Sequence, residues 1–223
     1  MKKIALLAFL LTVNLAHANI VETIQRHKLI GGSADGKRLA VLSGHFGPSS
    51  HAPFVNLTVK EAGRSEPLLL ESLAYLEGGE EQLAQLETAI LDQSRAKLTA
   101  LGIEKNKYLP QPATAYWAAK GNRETTGTLD LKQDNKAKVT FGIQRFVDDT
   151  CAKNSKGRLN WRVLLLGDSL ASMMQTWNCL TTELELRQVY QASQALWFFV
   201  QREVSPVPGM QTYWTDYLGV ALP

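Results

Sequence analysis

The chain is poor in the residues that would place it in a ready-made functional class. Of 223 residues only two are cysteine, Cys151 and Cys179, and they form no Cys-x-x-Cys pair and have no histidine nearby. A zinc ribbon or a redox dithiol is therefore disfavoured. No His-Glu-x-x-His and no Gly-x-Ser-x-Gly occurs, which removes the usual zinc-protease and α/β-hydrolase signatures. No apolar run approaches the ~20 residues that a spanning helix needs. Basic residues are not concentrated in a stripe, so a nucleic-acid surface is not indicated. No repeat recurs at a fixed period. The sequence also points to no cofactor, no metal and no catalytic set.

What is present begins with an export pattern. Lys2 and Lys3 precede the mostly apolar run from Ile4 to Val13, and Ala16-His17-Ala18 supplies the small residues of a signal-peptidase site. This predicts residues 1–18 as a signal peptide, and no cysteine follows to accept a lipid. The expected product is periplasmic or secreted, without a stable membrane anchor, as one globular domain over 19–223. Removing Lys2 and Lys3 leaves 22 basic against 21 acidic residues. A content of 45% hydrophobic and 20% charged residues suits a folded core. In an oxidising compartment Cys151 and Cys179 read as one disulfide. Closing a loop of about 28 residues would stabilise the fold by about 3–4 kcal/mol in the chain-entropy picture.

Along the chain, Gly31 to Gly36 is turn-rich and Lys37 to Ser43 reads as a strand. Gly44 to Pro53 reads as a loop, and Phe54 to Lys60 as a second strand that closes a wide hairpin. Glu80 to Leu101 lacks Pro and Gly and spaces Leu83, Leu86, Ile90, Leu98 and Leu101 at helical intervals before Gly102. That predicts one amphipathic helix about 33 Å long, packed on a sheet. Asn106 to Pro112 reads as a connection. Period-two segments then follow at 113–118, 127–131, 138–146, 159–166, 183–190 and 195–202, with 213–222 as a final short strand or turn. The fold class expected is α+β, a mainly antiparallel β-sheet with one long amphipathic helix and one disulfide.

Two resemblances arise from these segments. Ser33-Ala-Asp-Gly-Lys37 followed by Arg38-Leu-Ala-Val41 resembles the Ser-x-Asp-Gly-Lys hairpins of periplasmic propellers of the TolB type, but it occurs once, and a propeller needs at least four blades. More of the chain resembles a bacterial family of predicted secreted proteins of unknown function. The resemblance rests on Gly32-Ser-Ala-Asp-Gly36 and its strand, the 44–53 loop, Ala100-Leu-Gly-Ile103, the two cysteines, and Tyr217-Leu-Gly-Val-Ala221. Where members carry an Asp/Gly-rich loop and a Gly-Phe-Glu-Gly-like segment, this chain has Gly47-Pro-Ser-Ser-His51 and Pro208-Gly-Met-Gln-Thr212. The resemblance implies compartment and fold, and no established activity.

The candidate site residues are few. His45 and His51 share the 44–53 loop with Ser49 and Ser50, adjoining Ser43, where an imidazole near neutrality could serve a serine. Ordinary loop residues are the simpler reading, and His27 reads as polar surface. Asp148-Asp149 offers too few oxygens for calcium without further ligands. Gly167-Asp-Ser169 matches a lipase nucleophile motif only in part. Trp177, Tyr213, Trp214 and Tyr217 offer flat, amphipathic contact area for a ligand or interface, with a core role as the alternative. The expected function is a periplasmic non-enzymatic module that binds an envelope protein or a small ligand. A secreted hydrolase using a histidine of the 44–53 loop is the rival, and a structural envelope-maintenance role a third reading.

Overall fold

The computed structural model describes residues 24–46, 52–120, 124–131, 137–147, 155–165, 168–176, 181–204 and 212–222. The first four strands form a meander: β1 (Ile24–Gly32), β2 (Arg38–Phe46), β3 (Phe54–Glu61) and β4 (Leu69–Ala74). Two helices follow, α1 (Glu80–Gln93) and α2 (Arg95–Ala100), then β5 (Glu104–Lys105), which returns to the edge of β1. The second sheet contains β6 (Gln111–Pro112), β7 (Ala115–Lys120), β8 (Glu124–Asp130), β9 (Ala137–Val147), β10 (Ser155–Leu165), β11 (Asp168–Thr176), β12 (Thr181–Gln191), β13 (Ala195–Val204) and β14 (Thr212–Ala221). Every strand pair described is antiparallel.

The second sheet is two layers joined at a corner. β10 pairs along its length with β9 and along most of it with β11, yet meets β12 only at Ser155 and Thr181. Beyond that bridge the β12–β14 layer turns back over β7–β11, and Phe141 of β9 meets Phe198 of β13 edge to face across the gap. Leu129, Val139, Leu159, Trp161 and Val163 on one side pack against Val189, Leu196, Phe198, Val200 and Val220 on the other.

Three cores result, one between each pair of successive layers. Below β12–β14 lies the core just described. Above it Trp197, Phe199 and Tyr217 pack against Leu39 and Val41 of β2. The opposite face of the first sheet, with Ala40, Leu42, Val55, Leu57 and Val59, receives Leu83, Leu86, Ile90 and Leu98 of the helices. Strands with both faces covered read as continuous apolar runs, and Leu39–Leu42 and Ala195–Val200 are two such runs, every residue buried.

Two close approaches fix the stack. Ser33-Ala-Asp-Gly36 is a turn in which Gly36 N–H donates to Ser33 O at 2.8 Å and Gly36 adopts φ +74°, a conformation that glycine takes without strain. The Ser33 hydroxyl and the Lys37 N–H bond the Asp35 carboxylate and hold its pKa below the usual range. That turn docks on the next layer, where Ser193 Oγ donates to Asp35 O at 2.6 Å and Trp197 Nε1 reaches Gly36 O at 3.4 Å. The Trp197 ring in turn lies over its cross-strand partner Gly219, where an added Cβ would stand 2.4 Å from the ring.

The single helix expected over Glu80–Leu101 is instead divided at Ser94. Ser94 is fully buried, and its hydroxyl bonds the Glu71 carboxylate of β4, which also takes the Lys97 ammonium. A serine whose hydroxyl has a better partner than the helix favours a break at its own position. Both helices still pack their apolar side on the first sheet, and the run ends as expected at Gly102, with φ +69° and Ile103 N–H donating to Leu98 O at 2.9 Å. Five strands are not anticipated by the sequence: β1, β4, β11 and the two-residue β5 and β6, the last inside the expected 106–112 connection. Among the described residues no helix is long and apolar enough to cross a membrane. Cys151 and Cys179 lie outside the described residues.

Gly219→Ala should therefore destabilise the protein by about 1–3 kcal/mol, because Trp197 is buried on all sides and has no room to yield. Urea unfolding should show a lower midpoint with an unchanged slope.

Candidate functional site

The expected site residues divide between two environments. His51 and Trp177 lie outside the described residues, as do Ser49, Ser50, Asp148 and Asp149. Tyr217 is core: its hydroxyl donates to Thr58 O at 2.8 Å, its ring stacks on Phe199, and burial pushes its phenol up. Tyr213, on the edge strand β14, is 37% exposed. Asp168 and Ser169 open β11, with Ser169 opposite Leu164 of β10, so this serine sits in a strand and not on the strand-to-helix elbow that a lipase nucleophile requires.

His45 departs most from expectation. It is not on a loop: β2 runs on through Phe46, and His45 pairs directly with Phe54 of β3. The residue is 3% exposed, its ring stacked on Phe54 at 4.5 Å and tilted against Trp214 at 5.0 Å. His27, read from the sequence as isolated polar surface, is its neighbour, with ring centroids 6.5 Å apart. The register explains this. His27 stands opposite Ser43, and β2 alternation puts Ser43 and His45 on the face that Leu39 and Val41 share, toward the β12–β14 layer.

Among the described residues this cluster pairs an imidazole with a serine but supplies no orienting carboxylate. His27 Nδ1 lies 2.9 Å from Ser43 Oγ, and its Nε2 is buried without a hydrogen-bond partner among the described residues. The nearby Asp216 carboxylate is held by Arg202, whose Nε donates to it at 2.5 Å. Burial lowers both imidazoles, His45 to about 4, with the His27 charge adding to the effect at His45 and Asp216 partly opposing it at His27. Lys60 is likewise lowered by burial while its ammonium caps the Tyr217 ring. Among the described residues no group of three His, Cys, Asp or Glu side chains is placed to hold a metal ion.

A larger feature, which the sequence reading missed, lies on the outer face of β7–β11. One row of directly opposed residues crosses all five strands: Tyr116, Thr128, Thr140, Arg162 and Ser172. A second row, Thr126, Gly142, Asn160 and Met174, runs beside it. Because the inward residues of these strands form the core, the rows face outward, and all their members except Tyr116 line a shallow concavity of about 700 Å³ across β8–β11. Tyr116 is 55% and Met174 58% exposed. At strand spacings of ~4.8 Å, five strands give a row ~19 Å long. Next along the same face, Arg158 lays its guanidinium over Phe146 at 4.6 Å, with its Nε buried and without a hydrogen-bond partner among the described residues. Arg162 is exposed and, among the described residues, in no ion pair. The surface can present hydroxyls, an amide and a guanidinium together, a set suited to reversible hydrogen bonding.

Comparison with protein-family models, with curated proteins and with solved structures finds no match to this chain.

The buried imidazoles make a pH prediction. Both have folded pKa values below the ordinary 6.5, so the unfolded chain binds more protons between pH 6.5 and 4 and stability falls as pH drops through that window. The His45 share amounts to about 2–3 kcal/mol. Urea midpoints measured from pH 7 to 4.5 should decline, and His45→Phe should flatten the decline.

Proposed function

We propose that this chain is a non-enzymatic binding module that works outside the cytoplasm and recognises its ligand on the outer face of β7–β11. The observation that carries this reading is the concavity itself, a wide surface across β8–β11 that carries the hydroxyls of Thr128, Thr140 and Ser172, the Asn160 amide and the Arg162 guanidinium, and is backed by a packed core. Core residues such as Phe141 and Trp161 hold the strands from behind, so the outward side chains are pre-positioned and binding need not order a loop. The basic-apolar-small pattern of residues 1–18 supports an exported product, a periplasmic or secreted one. The expected aromatic site contributes less than the sequence suggested, since Tyr217 and His45 are spent on packing.

The disulfide between Cys151 and Cys179 belongs to the same proposal. The segment holding Cys151 ends at Ser155, that holding Cys179 ends at Thr181, and Ser155 and Thr181 are bridge partners. A covalent link there would join the two layers at the corner where their hydrogen bonding is thinnest. Intact mass of freshly extracted protein should fall about 2 Da below the reduced mass, with no thiol open to labelling. Two reactive thiols in the native protein would remove the link.

The binding reading is tested by photo-crosslinking in the living cell from a residue analogue placed at Thr128 or Ser172. A reproducible adduct formed from those positions, and not from exposed Arg95 on α2, is expected. Equal labelling from all three would refute a specific surface.

A further inference from the structure

The face that serves as the recognition surface in the preceding proposal has chemistry specific enough to name a ligand class, and the inference here rests on that proposal. We infer that the outer face of β7–β11 binds an extended polysaccharide carrying carboxylate groups. Four observations lead to it. First, the surface lies across the strands, not along an unpaired edge, so it offers no backbone ladder to an added peptide strand. Second, Thr128, Thr140, Asn160 and Ser172 each present a hydroxyl or amide that can both donate and accept, the match for sugar hydroxyls, which do the same.

Third, Tyr116 stands at one end of the row more than half exposed, where a pyranose could lie on its ring while the phenol stays in water. An extended sugar chain advances per ring by roughly one strand spacing, so successive rings meet successive strands. Fourth, Arg162 sits inside the row with no acidic partner among the described residues, and a guanidinium takes a carboxylate in a bidentate geometry. Lys138, one step along β9 and exposed, adds positive charge, although Asp130 stands opposite it. A protein partner is the weaker match, because Met174 stands exposed at the end of the concavity while Phe141 and Trp161 at its centre are buried, which leaves no central apolar anchor of the kind protein interfaces use.

The test uses the full chain, purified, with polygalacturonate as the acidic probe, dextran as the neutral one, and affinity electrophoresis followed by calorimetry as the readouts. Binding to polygalacturonate and not to dextran is expected, weakening as salt is raised. Arg162→Ala should weaken binding tenfold or more, and Arg162→Lys should recover only part of that loss. Tyr116→Ala should weaken binding to both ends of the salt range alike, since stacking is not screened. All three side chain changes are at exposed positions, so urea midpoints should stay at the wild-type value and confirm folded variants.

Equal affinity of wild type, Arg162→Ala and Tyr116→Ala for polygalacturonate would overturn the assignment. So would a failure to bind polygalacturonate. If that failure is accompanied by a specific protein adduct from Thr128 and Ser172 in the cell, the surface still binds and only its ligand class is wrong. If neither adduct nor polysaccharide binding is found, the binding reading falls with it.

Discussion

The structure depends on one strand with no solvent face. Ala195 to Val200 is buried throughout, so Leu196, Phe198 and Val200 must find a core on one side while Ala195, Trp197 and Phe199 find another on the other. Hydrophobic burial on both faces cannot be satisfied by a two-layer sandwich. It forces a third layer above β13, and the first sheet fills that place with Leu39 and Val41 of β2. β2 is itself buried on both faces, and the helices close the series. Trp197 ties the middle together: its ring occupies the space that Gly219 leaves, and its indole nitrogen reaches the Gly36 turn of the neighbouring layer.

Much of that plan is visible in the order of side chains, and the failures have physical causes. The apolar run of β13 and the alternation of Trp161 and Val163 marked their strands, because packing partners of nearly any apolar kind would give the same pattern. β1 was hidden by Arg26, His27 and Lys28, polar residues in a strand whose inward face is itself partly polar. β11, with Ser169, Ser172 and Met174, shows little β preference, and the ladder to β10 holds it. The break at Ser94 was not legible because Glu71, its cause, lies 23 residues away. The Gly, Pro and Ser around His45 read as a loop, while pairing with Phe54 extends the strand past Gly44.

The outer surface escaped detection for a different reason. Its residues are threonines, an asparagine, a serine and an arginine, one or two from each of five strands, and none is unusual by itself. The signal was the outward half of each alternation, set side by side once registers are known. Of the aromatic cluster that stands out near the end of the chain, Tyr217 packs between layers and Trp214 tilts against His45, while Tyr213 stays 37% exposed. Polar groups thus fall into two populations. His27, Ser43, His45 and Lys60 lie between layers, where burial lowers the pKa of both imidazoles and of the ammonium, and the threonine rows meet water, where hydration keeps them exchangeable.

The middle core has a further consequence for how the chain reaches this state. Leu39 and Val41 lie near its beginning and Trp197 and Tyr217 near its end, so their contact closes a loop that spans most of the protein. Such closure carries a large entropic cost and is recovered only when both ends are present, which makes for slow, late assembly. A chain emerging N-terminus first holds two exposed apolar side chains on β2 until its last hairpin arrives. During that interval the first sheet is sticky, and its safe completion depends on how quickly β13 and β14 are delivered.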